Sequence, residues 1–548
     1  MRTPVALFLL ALGVRGVLVW LYPDPAYPDS YYYVDVARAI AAGHGLNVDF
    51  IWIFAEVGNR IPAPAVLPVP SNAHWLPLAS FLQAPFISLL GPTALAAALP
   101  GVLIGALAAP LTWAIARDAG ARPLVASAAG VISAVPGAVA AFMVQPENFA
   151  ILHPLVAATL WMTARGLRGS GRSFALAGLL AGLATLARND GVVLAGAGGL
   201  VWLADRLRWW RARRGNRAWT HMDDRHPIPV FAALLALVLF LLVMGPWWAR
   251  QLAVFGSISP TSSNGTALWL VHISEWNSIT VEHSPERFFA QGLPAILESR
   301  LAGLAGALGN FAVMICSVVL VPFLVIGALA RRHSVAFQPW FVYTFVAFAG
   351  ATILYPLHVP GGAFIHTAIG LAPHAAILSV EGILLLVAWI AGRRRHWETG
   401  LAGSIFVWAI VGLVIASAAI FTPSVHSGWD ATRQPRLALA AELDRLGVRT
   451  DDRLLAIDAG GYKYWTGRPG VVMPDDSIET IEAVARAYST RWLIVERSDT
   501  VRAMVPVLEG DRPSWIGPPV FTVPAADDGL PTLAFYPVCT SPEDARCG

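Results

Sequence analysis

The residue with the clearest capacity for chemistry is Asp29, in the stretch YPDPAYPDSYYYVDVARAIAAGHGL that follows the first apolar run. Downstream of Asp29-Ser30, residues Tyr33, Val34, Ala37, Ile40 and Ala41 recur at helical spacing, while Asp35 and Arg38 fall on another face. That pattern predicts an amphipathic helix lying in a membrane interface, with Gly43 or Gly45 available to end it. Asp29 stands at its N-terminus. An aspartate there either caps the helix, or serves as a general base where membrane-dissolved and water-borne reactants meet. Spacing alone leaves both readings open.

Positioning such a residue requires a scaffold, and the composition says it is one of membrane helices. Of 548 residues, 56% are hydrophobic and 13% charged, with a mean hydropathy of +0.59; a soluble domain carries about a quarter of its residues charged. The net charge of +3 points to no nucleic-acid partner. Basic charge is almost all arginine, with Lys463 the single lysine, as codon usage in a GC-rich prokaryotic genome would give. Residues 4–22 are long enough to span and lack a small-x-small cleavage site, so they read as a retained first helix. Arg15 within it would be costly facing lipid and is expected to face the protein interior or a cavity.

Further apolar segments fall near 74–90, 93–115, 124–144, 149–164, 174–187, 191–205, 229–248, 308–330, 338–356, 366–391 and 401–422. The arginine clusters sit at Arg2, Arg117/Arg122, Arg165–Arg172, Arg206–Arg225, Arg331/Arg332 and Arg393–Arg395. They share one side only if the proline-containing segment 74–90 lies along the interface or re-enters. The expectation is therefore about eleven transmembrane helices plus interfacial helices, with the N-terminus in the cytoplasm and the C-terminus outside. Outer loops then cover 23–92 and 249–307, the stretch 357–365, and the turns Gln145-Pro146-Glu147-Asn148 and Arg188-Asn189-Asp190-Gly191.

Two domains are expected: a transmembrane catalytic domain over residues 1–422 and a small extracytoplasmic α/β domain over 423–548. In the latter, strand-like DRLLAID, TRWLIVE, VFTVP and TLAFYPV alternate with helix-like LALAAELDRLG and SIETIEAVARAY. It carries no glycine-rich phosphate loop and reads as an accessory or acceptor-side domain. Cys316 falls in an apolar run. Cys539 and Cys547 flank CTSPEDARC; outside the cytoplasm they would form a disulfide, the alternative being free or metal-binding thiols.

Several stretches, taken in order, resemble the GT-C glycosyltransferases, the class that includes protein O-mannosyltransferases and lipid A aminoarabinose transferases. PDSYYYVDVARAIAAGHG looks like the first-loop signature of that class, and SNAHWLPLASFLQAPFISLLG like its proline-containing segment. MVQPENFAILHPLVAATLW resembles the second outer loop, GLLAGLATLARNDGVVL the arginine-x-acid-glycine turn, and PWWARQLAVFGSISP the approach to the large outer loop. The similarity covers residues 1–270 in order and the remainder more loosely. Glu147 stands where many relatives have Asp, and Asn72, His74 and Trp75 replace the common basic or His-Pro-Pro start.

The resemblance implies transfer of a sugar from a polyprenyl-phosphate carrier, at the outer face of a prokaryotic cell membrane, to a glycan, lipid or protein hydroxyl. A phosphate leaving group needs cations more than an acid, and the acceptor needs a base. Asp29 becomes the candidate base, with inversion following from one in-line displacement. Glu147 would orient substrate or, with Asp29, hold a divalent ion such as Mg²⁺ or Mn²⁺. Arg188 would bind the donor phosphate, unless it snorkels or pairs with Asp190. His366 would contact phosphate or make a structural hydrogen bond, and His272, Glu275, Glu282 and His283 would shape the acceptor side. A transporter or lipid-linked sugar flippase is the competing reading. It would favour internal repeats with broken helices, and no repeat is evident.

Overall fold

The first helix, Arg2–Leu21, is apolar nearly all round, and Val5, Leu9, Val17 and Trp20 remain outward and exposed, as befits a helix facing lipid. Its inward face is made of Leu7, Ala11, Arg15 and Val19, where Arg15 is 1% exposed and donates to the Ala134 carbonyl at 3.4 Å. The computed structural model describes residues 2–57, 60–214, 227–260, 267–354, 363–394, 397–525 and 529–539. The outer stretch 357–362, Arg217, Arg225, Arg395 and Cys547 lie outside the described residues.

Among the described residues, five helices are long and apolar enough to cross a membrane: Arg2–Leu21, Ala94–Asp118, Val230–Phe255, Ala372–Ala391 and Thr399–Glu442. A sixth span is formed if Pro123–Ala134 and Gly137–Val144, bent by 50°, count as one. Shorter apolar helices include Leu78–Leu90, Gly171–Ala187, Val321–Arg331 and Gln338–Leu354. The chain is a multi-pass α-helical membrane protein. Leu78–Leu90 has 13 residues and contains Pro85; at 1.5 Å per residue it reaches about 20 Å, short of a hydrocarbon core of about 30 Å.

Neighbouring helices approach closely where glycine allows it. A Cβ on Gly327 would lie 1.9 Å from the Leu378 carbonyl oxygen, and one on Gly382 would lie 1.9 Å from that of Phe323. Helices Val321–Arg331 and Ala372–Ala391 therefore pack backbone to backbone, which is the usual route to helix association where no hydrophobic force separates protein from lipid.

Several segments depart from the sequence reading: the run 366–391 is divided between Ala363–Ile369 and Ala372–Ala391, and 124–144 bends by 50°. The apolar run 308–330 is not one helix: Leu293–Asn310 passes into a wide turn at Phe311–Ile315. The chain then breaks at Ser317 and Val318, whose φ values are +46° and +59°. The last membrane segment does not end near 422 but continues in one helix to Glu442, through Pro423 and Pro435. Its outer half is held by polar partners. Arg433 pairs with Asp24 at 2.6 Å, and Arg436 pairs with Asp458 at 2.6 Å and Glu496 at 3.0 Å.

The strands are β1 (Asn47–Val48), β2 (Phe50–Ile51), β3 (Val69–Pro70), β4 (Leu454–Ala456), β5 (Gly470–Val472), β6 (Trp492–Glu496), β7 (Phe521–Pro524) and β8 (Pro531–Pro537). Six form one sheet in the order β2-β5-β4-β6-β8-β7. The parallel strands β4, β5 and β6 are buried throughout, which explains their continuous apolar runs. The expected α/β domain is present. Its edge, however, comes from the first outer loop, with Phe50 opposite Gly470 and Ile51 opposite Val471. Cys316 is a buried free thiol, and Cys539 is disulfide-bonded.

The helix expected in the membrane interface is Pro28–Ala41, followed by Gly43 and Gly45 at φ +81° and +69°. It does not leave a polar face in water. Every residue from Ser30 to Ala37 is buried, Asp35 included. The C-terminal domain covers the side predicted to be wet: Lys463 pairs with Asp49 at 2.6 Å, Trp465 donates to the Tyr31 hydroxyl at 3.2 Å, and Arg38 lies 4.1 Å from the centre of the Tyr464 ring. The long outer loop docks on the same domain. The Ile279 N–H donates to Asp476 at 2.7 Å, and the Asp475 N–H to the Asn277 carbonyl at 3.0 Å.

Candidate active site

Asp29 lies in the first turn of Pro28–Ala41, one residue after a proline that suits a helix start. The backbone donors at this end are taken by Ser30, whose hydroxyl accepts from the N–H groups of Ala26 and Tyr27 at 3.1 Å each. The carboxylate of Asp29 is thereby left for other partners. Its Oδ1 accepts from the Trp75 indole at 2.9 Å, and its Oδ2 lies 3.9 Å from Arg188 and 3.8 Å from His366.

Glu147 enters from the turn between Gly137–Val144 and Phe149–Leu167. The turn is held by Gln83, which donates to the Pro146 carbonyl at 2.7 Å. Glu147 is 1% exposed. Its Oε1 accepts a hydrogen bond from the Tyr27 hydroxyl, and its Oε2 has no hydrogen-bond partner among the described residues. Burial, with the Asp29 charge second, holds its carboxyl well above the usual range.

Arg188 follows helix Gly171–Ala187 in extended conformation and forms an ion pair with Asp190 at 3.0 Å. Asp190 in turn accepts from Thr367, beside His366, which ties the turn to helix Ala363–Ile369. The His366 ring stacks on Phe149 at 3.8 Å with an interplanar angle of 8°. Its Nε2 stands 3.8 Å from both Asp29 and Glu147. Donor atoms of Asp29, Glu147 and His366 all lie within 4.8 Å of one another.

Four of the sequence candidates, Asp29, Glu147, Arg188 and His366, thus meet from four separate segments. Tyr27, Trp75 and Phe149, which fix their orientations, were not singled out for these roles. Their aromatic character alone does not distinguish them among the 56 Trp, Tyr and Phe residues of the chain, 21, 11 and 24 respectively. The long-loop candidates are arranged differently. Glu275 accepts from the N–H groups of Val271 at 2.7 Å and His272 at 3.2 Å and pairs with Arg287 at 2.7 Å. The His283 ring meets the Glu275 carbonyl at 2.9 Å. His272 and Glu282 are exposed. The loop comes near the first outer loop where Trp276 lies 5.7 Å from the His74 ring.

Carboxylates, an imidazole and a guanidinium are gathered at one end of a helical membrane bundle, under a small α/β domain, and the fold is similar to that of solved GT-C glycosyltransferases. Residues 70–249 match the family described as dolichyl-phosphate-mannose-protein mannosyltransferase. Across 99% of each chain, the protein is similar to ArnT from Cupriavidus metallidurans bound to undecaprenyl phosphate, at 13% identity and a TM-score of 0.53. It is also similar to the Archaeoglobus fulgidus oligosaccharyltransferase in complex with zinc and sulfate, at 12% identity and a TM-score of 0.54, over 97% of this chain and 73% of that one. No curated protein matches the chain in sequence.

Proposed function

We propose that the protein is an inverting glycosyltransferase that moves a sugar from a polyprenyl-phosphate carrier to a hydroxyl of an envelope acceptor, at the outer face of a prokaryotic cell membrane. The observation that carries this reading is the meeting of Asp29 with Arg188, Glu147 and His366 inside a GT-C fold.

Asp29 takes the acceptor hydroxyl proton as the acceptor oxygen bonds to the anomeric carbon. The bond from that carbon to the carrier phosphate breaks, and the electron pair leaves with polyprenyl phosphate. Arg188, held by Asp190, receives the phosphate oxygens through its planar fork. Trp75 fixes the rotamer of Asp29, and Tyr27 does the same for Glu147.

Two carboxylates and one imidazole also suit a divalent ion such as Mn²⁺ or Zn²⁺, and the unpartnered Oε2 of Glu147 fits that role. Asp29, Glu147 and His366 would hold it, and it would supply charge stabilisation for the departing phosphate. Dialysis against EDTA is expected to lower activity at least tenfold, with recovery on adding Mn²⁺ or Zn²⁺. Unchanged activity after complete metal removal would leave the three residues as a metal-free cluster.

Purified protein incubated with a mixed set of polyprenyl-phosphate sugars should release polyprenyl phosphate. In sealed liposomes, movement of intact donor between leaflets without such release would contradict the transferase reading.

A further inference from the structure

Next to the candidate centre lies a cavity of about 310 Å³ between the start of the first outer loop and the outer part of helix Thr399–Glu442. Residues 21–26 form one wall, and His426, Trp429, Asp430 and Arg433 form the other. Tyr27 separates it from the carboxylates: its ring packs 5.3 Å from that of Trp429, while its hydroxyl binds Glu147.

The walls combine flat rings with fixed polar groups. Tyr22 and His426 stack at 3.7 Å and 5°, and Trp429 stands edge-on to His426 at 4.8 Å and 90°. Arg433 bridges Asp24 at 2.6 Å and Asp430 at 2.9 Å. His426 is 4% exposed, lines the cavity, and its Nε2 has no hydrogen-bond partner among the described residues. A buried polar atom left in that state is costly unless a ligand completes it.

These features choose among ligands. Two carboxylates against one guanidinium leave the walls net negative, which opposes a phosphate or a uronate. A lipid tail would strand the ion pairs in hydrocarbon. A sugar ring presents apolar C–H faces to the aromatic rings and hydroxyl groups to the carboxylates and imidazole. The volume, near the lower end of ligand pockets at about 300 Å³, suits one or two such rings.

We propose that this cavity is the acceptor subsite and holds a neutral sugar ring of a glycan, one residue removed from the reacting carboxylates. The assignment of the glycan as acceptor rests on the transferase reading; its binding does not. The acceptor is then a saccharide or glycoconjugate, with Trp429 as its stacking platform and His426 as a hydrogen-bond partner.

The test uses the full chain in nanodiscs with neutral trisaccharides of glucose, mannose, galactose and arabinose, read by saturation-transfer NMR. Binding to the wild type is expected, weakened at least tenfold by Trp429→Ala, retained in Trp429→Phe, and retained in Asp29→Asn. No binding of any neutral trisaccharide, equal binding by Trp429→Ala, or binding confined to a glucuronate-containing saccharide would each overturn the proposal. In a transfer assay, Trp429→Ala should raise the acceptor KM at least tenfold and move the donor KM less than twofold. Transfer with an unchanged acceptor KM sinks the subsite and leaves the transferase reading standing. Saccharide binding without any donor release sinks the transferase reading and leaves a glycan site.

Discussion

At the residue scale, a carboxyl enclosed in apolar surroundings resists losing its proton. Glu56, in the first outer loop, is 7% exposed, and burial pushes its pKa up to about 7. It accepts from the Tyr32 hydroxyl at 3.1 Å and the Trp52 N–H at 3.0 Å. The folded chain therefore keeps this proton to higher pH than the unfolded chain, whose glutamates titrate at about 4.3. Stability from this group is fully present below that value and is lost as pH rises through about 7. Thermal unfolding should accordingly shift downward between pH 5 and pH 8, and Glu56→Gln should flatten that shift; an identical profile in the variant would assign the dependence elsewhere. Glu56 carried no signal in the sequence, because a lone glutamate beside apolar residues reads like any loop carboxylate. Glu147 and Arg188 were legible because each sits in a short polar turn between apolar runs, and Asp29 because it opens a helical repeat soon after the first apolar run. That His366 faces both carboxylates was not legible, since its position depends on how helix Ala363–Ile369 packs against Phe149–Leu167, not on spacing.

At the element scale, the helix Thr399–Glu442 couples membrane to domain through Arg436. This residue is 4% exposed and binds Glu496 at 3.0 and 3.1 Å and Asp458 at 2.6 Å, while Tyr462 also donates to Glu496 at 2.7 Å. Arg436→Met would leave two carboxylates buried without their cation, a loss of about 3–5 kcal/mol. Reduced protease resistance of the C-terminal domain in that variant is the expected readout; wild-type resistance would show the network to be dispensable. Apolar runs coincide with the five described helices long and apolar enough to cross a membrane, fewer than the eleven or so crossings expected, and the alternation of short strands with amphipathic helices located the α/β domain. The runs could not show that the final helix continues beyond the lipid, because its outer turns are polar residues satisfied by distant partners. Nor could they show the edge strand Phe50–Ile51, whose two residues are too few for a periodic signal.

At the scale of the whole molecule, the first outer loop, the long loop and the C-terminal domain are clamped together over one end of the bundle. Arginine placement in the sequence predicts that this side is extracytoplasmic. A cysteine introduced at exposed Arg486 should react in intact cells with a membrane-impermeant maleimide, and one at exposed Arg393 should react only after permeabilisation. The reverse pattern would invert the topology. The active-site reading rests on the meeting of Asp29 with Arg188 at 3.9 Å and His366 at 3.8 Å, although the three are separated in sequence. The most direct test is release of polyprenyl phosphate from polyprenyl-phosphate sugars by the wild type and by Asp29→Asn, with thermal unfolding measured on both. A loss of at least a thousandfold in release, with the unfolding temperature unchanged, is predicted for the variant; release at the wild-type rate would contradict the account.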